Sequence, residues 1–176
     1  MLSLILDLIE PTKGYVTSKL IKVSDSDEWK NYTGSFLNEG FLIPFLSPIE
    51  FFEFIGSLHG KNSADIKDFL EENEQFFKQD AFSGKYIREL SAGNKNKIGI
   101  LASFLSKPEI LILDEPVSHL DLQHQMEILN LIKKMCVDKK LTAITVLHDL
   151  NLASAYSDYI VMMRNGEIKR QGTPFE

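Results

Sequence analysis

The chain has 176 residues, 44% hydrophobic and 25% charged, with a formal net charge of −6 and a single cysteine, Cys136. That is enough chain for one domain with a real core. The acidic balance gives no electrostatic footprint for nucleic acid, one cysteine excludes an internal disulfide, and no apolar run approaches the ~20 residues of a membrane span.

In chain order, residues 1–9 (MLSLILDLI) read as a helix buried nearly all round, and Glu10, Pro11 and Gly14 break it. Asp7 interrupts the apolar run and no basic leader precedes it, so a signal peptide is not expected. Residues 15–23 alternate loosely, as one strand would. Residues 25–31 form a polar connection, and residues 32–37 form a second strand carrying Gly34. Residues 41–58 are strongly aromatic and aliphatic. Ser47 or Pro48 starts a helix there, with Ile49, Phe52, Ile55 and Leu58 at helical spacings. The excess at Phe41, Leu42, Ile43 and Phe45 reads either as core or as a partner-docking patch. Residues 62–80 read as one solvated helix, and Phe82, Tyr86, Ile87 and Leu90 lead to the next segment.

Residues 90–121, LSAGNKNKIGILASFLSKPEILILDEPVSHLD, carry the chemistry. Ser91 suits an N-cap, and Ile98, Leu101, Ala102 and Leu105 give the helix a buried face. Ala92 and Gly93 are small enough for backbone N–H groups and the helix dipole to meet an anion, although an ordinary capped helix has the same pattern. Residues 110–113 are a continuous apolar run, as in a parallel strand buried on both faces. Asp114 and Glu115 follow at its carboxyl end, the edge where open α/β sheets bind ligands. One carboxylate can hold Mg²⁺ through water while the other polarises an attacking water; a strand ending in a charged turn is the plainer alternative. A helix over 123–135, a buried strand over 141–147 ending at His148, a short helix over 150–156, and a hairpin about Asn165-Gly166 complete the chain.

Order and spacing then carry a resemblance. Leu90-Ser91-Ala92-Gly93-Asn94 resembles the LSGGQ signature of the ATP-binding-cassette (ABC) ATPase family, with Ala and Asn for Gly and Gln. Residues 110–116 resemble its Walker B strand, Ser118-His119-Leu120-Asp121 its D-loop, His148 its switch histidine, and Asn38 falls at its Q-loop glutamine. The resemblance implies a P-loop NTPase-like (RecA-like), mainly parallel α/β core, at residues 1–45 and 101–176, with a helical subdomain at 46–100. It implies ATP and Mg²⁺ as cofactors. Asp114 holds the metal through water, while Glu115 and His148 are catalytic. Leu90, Ser91, Ala92, Gly93 and Asn94 bind nucleotide across a dimer, and Ser118 and Asp121 couple the two sites. The partners implied are a transmembrane transporter subunit and a second nucleotide-binding subunit, without nucleic acid, on the cytoplasmic face of the cell membrane. Lys85 and Arg88 read either as helpers that attract phosphate or as plain surface cations.

No G-x-x-x-x-G-K-[ST] run occurs in the sequence. In the family that loop supplies most triphosphate contacts, and residues 1–14 resemble the helix and PT-G turn directly after it. The simplest expectation is therefore an N-terminally truncated transporter ATPase, incomplete as a cassette and inactive alone. A non-catalytic partner that donates only its signature is the alternative. A DNA-repair or chromosome-maintenance ATPase is disfavoured, because only a modest helical stretch separates Asn38 from Leu90.

Overall fold

The computed structural model describes residues 1–76 and 84–174. The chain divides into two units, residues 1–29 with 146–176, and residues 30–145. Expectations for residues 77–80 and for Phe82 lie outside the described residues.

The first unit opens with α1 (Leu2–Ile5), one turn rather than the helix expected over 1–9. Asp7 adopts a left-handed φ of 53° and ends it. Leu2 and Leu6 are buried, but Leu8 and Ile9 are more than half exposed, so the segment is not buried all round. The single strand expected over 15–23 is an antiparallel hairpin of β1 (Thr17–Ser18) and β2 (Ile21–Lys22). Its corner residues, Lys19 and Leu20, have φ of 47° and 70°. Tight hairpins need positive φ at both central positions, and neither residue is of the Asn-Gly type that signals one. Trp29 is buried and its Nε1 donates to the Val23 carbonyl at 3.1 Å.

The second unit holds the sheet core. A 3₁₀ turn, Glu28–Tyr32, leads into β3 (Thr33–Phe36). α2 (Pro48–Leu58) starts with a complete capping box: Ser47 Oγ accepts from Glu50 N, and Glu50 Oε2 accepts from Ser47 N at 2.7 Å. Its buried residues are Pro48, Phe51, Phe52 and Gly56, whereas Ile49 and Leu58, expected inside, are exposed. The inward stripe is thus rotated toward Phe51 because Gly56 lets α3 (Ser63–Glu72) come close: a Cβ on Gly56 would lie 2.4 Å from Ile66 Cδ1. α3 is ten residues long and ends at Glu72, with Asn73 as its cap and a 3₁₀ turn following, so the single helix expected over 62–80 is broken.

α4 (Ala92–Ala102) and β4 (Ile110–Asp114) follow. β4 runs parallel to β3, pairing Thr33 with Ile110 and Phe36 with Leu113. Leu111, Ile112 and Leu113 are at most 2% exposed, as a strand covered on both faces requires. α5 (Leu122–Lys139) runs past the expected polar turn at Asp138 and closes on Lys140 in the left-handed conformation. β5 (Thr142–Val146) completes a sheet of order β3-β4-β5. Of residues 46–100, where a helical subdomain is expected, the described part includes α2, α3 and most of α4.

The first unit resumes with α6 (Leu150–Tyr156), then β6 (Ile160–Arg164) and β7 (Glu167–Gly172), antiparallel about Asn165-Gly166 as expected. Among the described residues no helix is long and apolar enough to cross a membrane.

α4 reaches β3 through Gly99, where a Cβ would fall 2.1 Å from Phe36 Cε2. Gly99→Ala gains helix propensity but overpacks this contact, so a net loss of about 1–2 kcal/mol is expected in denaturant unfolding. Adding Phe36→Leu to Gly99→Ala should cost less than the sum of the two single changes.

Candidate functional site

β4 delivers Asp114 half-buried and Glu115 exposed at its carboxyl end. Glu115 has a φ of 46° and His119 one of 62°. Left-handed backbone at two non-glycine residues in one short loop is costly and concentrates at functional sites. Ser118 fastens the turn: its N–H donates to the Glu115 carbonyl at 3.1 Å and its Oγ to Glu115 Oε2 at 3.0 Å. Asp121 caps α5, with Oδ1 accepting from His124 N at 3.0 Å and Oδ2 lying 2.7 Å from His124 Nδ1. These two contacts, the backbone one first, hold the Asp121 carboxyl below its ordinary pKa.

Ser91 caps α4 as expected, its Oγ accepting from Asn94 N at 3.3 Å. Leu90 is buried, Ser91 and Ala92 are exposed, and Asn94 is half-buried. Gly93 differs from the expectation of an open mouth, because it is buried under the His124 ring: a Cβ there would stand 3.0 Å from His124 Cδ2. The glycine therefore has a packing reason to be small as well as a ligand reason. It also places the start of α4 against the start of α5, beside Asp121.

The residues that assemble the site were not legible as site residues. Asn96 is buried and donates from Nδ2 to the Pro116 carbonyl at 2.9 Å, joining α4 to the turn beside Glu115. Lys97, only 5% exposed, pairs with Glu127 of α5 at 2.6 Å. Lys95 pairs with Glu39 at 3.2 Å. Gln125 Nε2 donates to the carbonyls of Val117 and Leu120 at 3.3 and 3.0 Å, bracing the D-loop backbone from α5. The one available signal is three polar side chains in succession just before an apolar helix face.

Asn38 is exposed, and its Oδ1 accepts from Gly40 N at 2.8 Å, capping its own 3₁₀ turn, Glu39–Phe41. Arg88 lies over the Tyr86 ring, 5.1 Å from its centroid. His148 is exposed and belongs to the first unit, just before Asp149, which caps α6. The second unit thus holds Asn38, Leu90 to Asn94, Asp114, Glu115, Ser118 and Asp121, while His148 is described with the first.

A buried parallel strand ending in adjacent carboxylates, with a capped small-residue helix tied to that end, fits the P-loop NTPase class of α/β fold, as the solved cassettes of the same fold bear out. The family model for "ABC transporter" matches residues 1–118, and the chain belongs to that family. The petrobactin import ATP-binding protein YclP of Bacillus subtilis is 37% identical over 101 residues, which cover 57% of this chain and 40% of that protein. The iron(3+)-hydroxamate import ATP-binding protein FhuC of the same organism is 33% identical over 121 residues, 69% of this chain and 44% of that protein. The chain thus matches less than half the length of either relative. A solved dimeric bacterial ABC transporter cassette superposes with a TM-score of 0.83 at 25% identity, covering 98% of this chain and 78% of that one.

Two stability outcomes follow from these contacts. Lys97→Met leaves Glu127 without its buried cation and should cost about 2 kcal/mol in urea unfolding, whereas Lys67→Met, at an exposed pair with Glu71, should cost under about 0.5 kcal/mol. The lowered Asp121 pKa means that its cap is fully present above the ordinary carboxylate range and is lost as pH falls through the folded value. The difference in melting temperature between the parent and Asp121→Asn should therefore be constant near neutrality and shrink on acidification.

Proposed function

We propose that the chain is the nucleotide-binding part of an ABC transporter subunit that couples ATP binding and hydrolysis to movement across a membrane. The observation that carries this is Asn96 bonding the turn beside Glu115 to the signature helix, so that carboxylates and helix mouth form one body.

Among the described residues no group of three potential metal ligands occurs. The adjacent carboxylates of Asp114 and Glu115 suit Mg²⁺, which is commonly held by one or two carboxylates together with water and substrate phosphates. Asp114 would hold the ion through water, and the ion would neutralise charge on the phosphates. Glu115, held outward by its left-handed backbone and by Ser118, would orient the attacking water, and His148 would steady the terminal phosphate. Leu90 seats the mouth by its burial. Ser91, Ala92, Gly93 and Asn94 would face the nucleotide of a second nucleotide-binding subunit, and Ser118 and Asp121 would couple the two sites. Asn38, its oxygen engaged with Gly40, would offer its amide N–H groups to the attacking water or a phosphate oxygen.

Phe41 and Phe45 are 58% and 65% exposed and are the residues for docking a transmembrane subunit. Their segment is bonded to the run before the signature: Ile87 N donates to the Leu46 carbonyl at 2.8 Å and Arg88 N to the Pro44 carbonyl at 3.0 Å. A place on the cytoplasmic face of the cell membrane follows from this docking, and import is the direction that the names of both relatives give.

A second reading rests on the capped, small-residue start of the signature helix: this chain offers its signature to ATP cradled by a partner. Titration of purified chain with Mg²⁺·ATP, followed by turnover of parent and Glu115→Gln, separates the two. ATP binding with turnover abolished in Glu115→Gln supports the motor. Neither binding nor turnover by the parent removes the motor reading and leaves a signature donor or a piece of a longer subunit. Turnover unchanged by Glu115→Gln would overturn the role given to Glu115.

A further inference from the structure

Three consecutive residues of α4 reach three different parts of the second unit. Successive helix positions point about 100° apart. Lys95 reaches Glu39, Asn96 reaches the Pro116 carbonyl, and Lys97 reaches Glu127. Asn96 and Lys97 are buried and serve the fold itself. The Lys95–Glu39 pair is different: its side chains are 22% and 41% exposed, so water and salt screen it and it contributes little to stability. It nonetheless joins residues 56 positions apart in sequence.

Glu39 is the first residue of the turn that Asn38 caps. That turn is held on itself by Gly40 N to Asn38 Oδ1 and by Leu42 N to the Glu39 carbonyl at 3.0 Å. Leu42 is buried, but Asn38, Gly40 and Phe41 are exposed. The turn is therefore stiff internally and held at its ends by buried Phe36 and Leu42, and a polar anchor on its exposed side adds control of its angle. Lys95 supplies one, from the residue directly after the signature.

We propose that Lys95 and Glu39 are a positioning pair that sets the Asn38 turn, and with it the exposed Phe41, relative to the signature helix. Through Asn96 the same helix holds the Pro116 carbonyl beside Glu115, so displacement at Phe41 has a short route to the carboxylates. This rests on the proposed function, with Asn38 and Glu115 serving this subunit's nucleotide and the signature serving that of a second subunit.

The test is a charge reversal in the full 176-residue chain: Lys95→Glu, Glu39→Lys and the double swap, with Lys95→Gln as the milder variant should Lys95→Glu not fold. Amide hydrogen exchange over residues 39–42, melting temperature, and Mg²⁺·ATP binding and turnover are read together. Each single reversal should raise exchange over 39–42 by about fivefold or more with the melting temperature nearly unchanged, and should lower turnover to a similar degree. The double swap should restore both. Exchange that ignores the single changes, or a double swap no better than either single, overturns the proposal. A parent that binds no ATP, with exchange that responds to the single changes and recovers in the double swap, removes the motor reading and keeps the pair. A parent that turns over ATP with unresponsive exchange does the opposite.

Discussion

The hydrogen bond from Asn96 Nδ2 to the Pro116 carbonyl is the constraint on which the site depends. It is buried, so neither group has water as a ready substitute, and losing the donor would leave a carbonyl unsatisfied at about 1–3 kcal/mol. The carbonyl belongs to the residue after Glu115, and the amide lies one turn into the helix that Ser91 caps. A single contact therefore fixes the distance between a strand-end carboxylate pair and a helix mouth. Lys97 to Glu127 and Gln125 to the D-loop carbonyls brace the same assembly from α5.

Close backbone approach makes that contact possible. Gly99 accepts the Phe36 ring where a Cβ would not fit, and Gly34 lies where a Cβ would meet the Ser103 carbonyl at 2.3 Å. α4 thereby sits down on β3, whose neighbour β4 carries Asp114. The cost of assembling the loop shows in the left-handed Glu115 and His119. Local bonds from Ser118 and the Asp121 cap offset part of it.

Periodicity and local chemistry made much of this legible. The apolar run of β4, the Ser91 cap and the Asn165-Gly166 turn rest on signals a few residues long, and the structure has them where the sequence puts them. The spaced motifs gave the family. Long-range pairings carry no such signal: nothing near Lys95 announces Glu39, and nothing near Asn96 announces Pro116. The hairpin at Lys19-Leu20 carries no sequence signal, because its corner uses positive φ without the usual glycine or asparagine. The inner face of α2 differs from its helical spacing because Gly56, by admitting α3, decides which side is inner. The small size of Gly93 signals a ligand in the sequence, whereas its packing against His124 depends on α5.

The central claim is that Asp114, held on one body with the signature helix, serves a Mg²⁺-bound nucleotide. It is tested most directly by replacing Mg²⁺ with paramagnetic Mn²⁺ and following backbone amide resonances of the chain on addition of ATP. The account predicts selective broadening at residues 113–116 that needs both Mn²⁺ and ATP and disappears in Asp114→Asn. Broadening scattered over the acidic surface, or unchanged by that substitution, would contradict it.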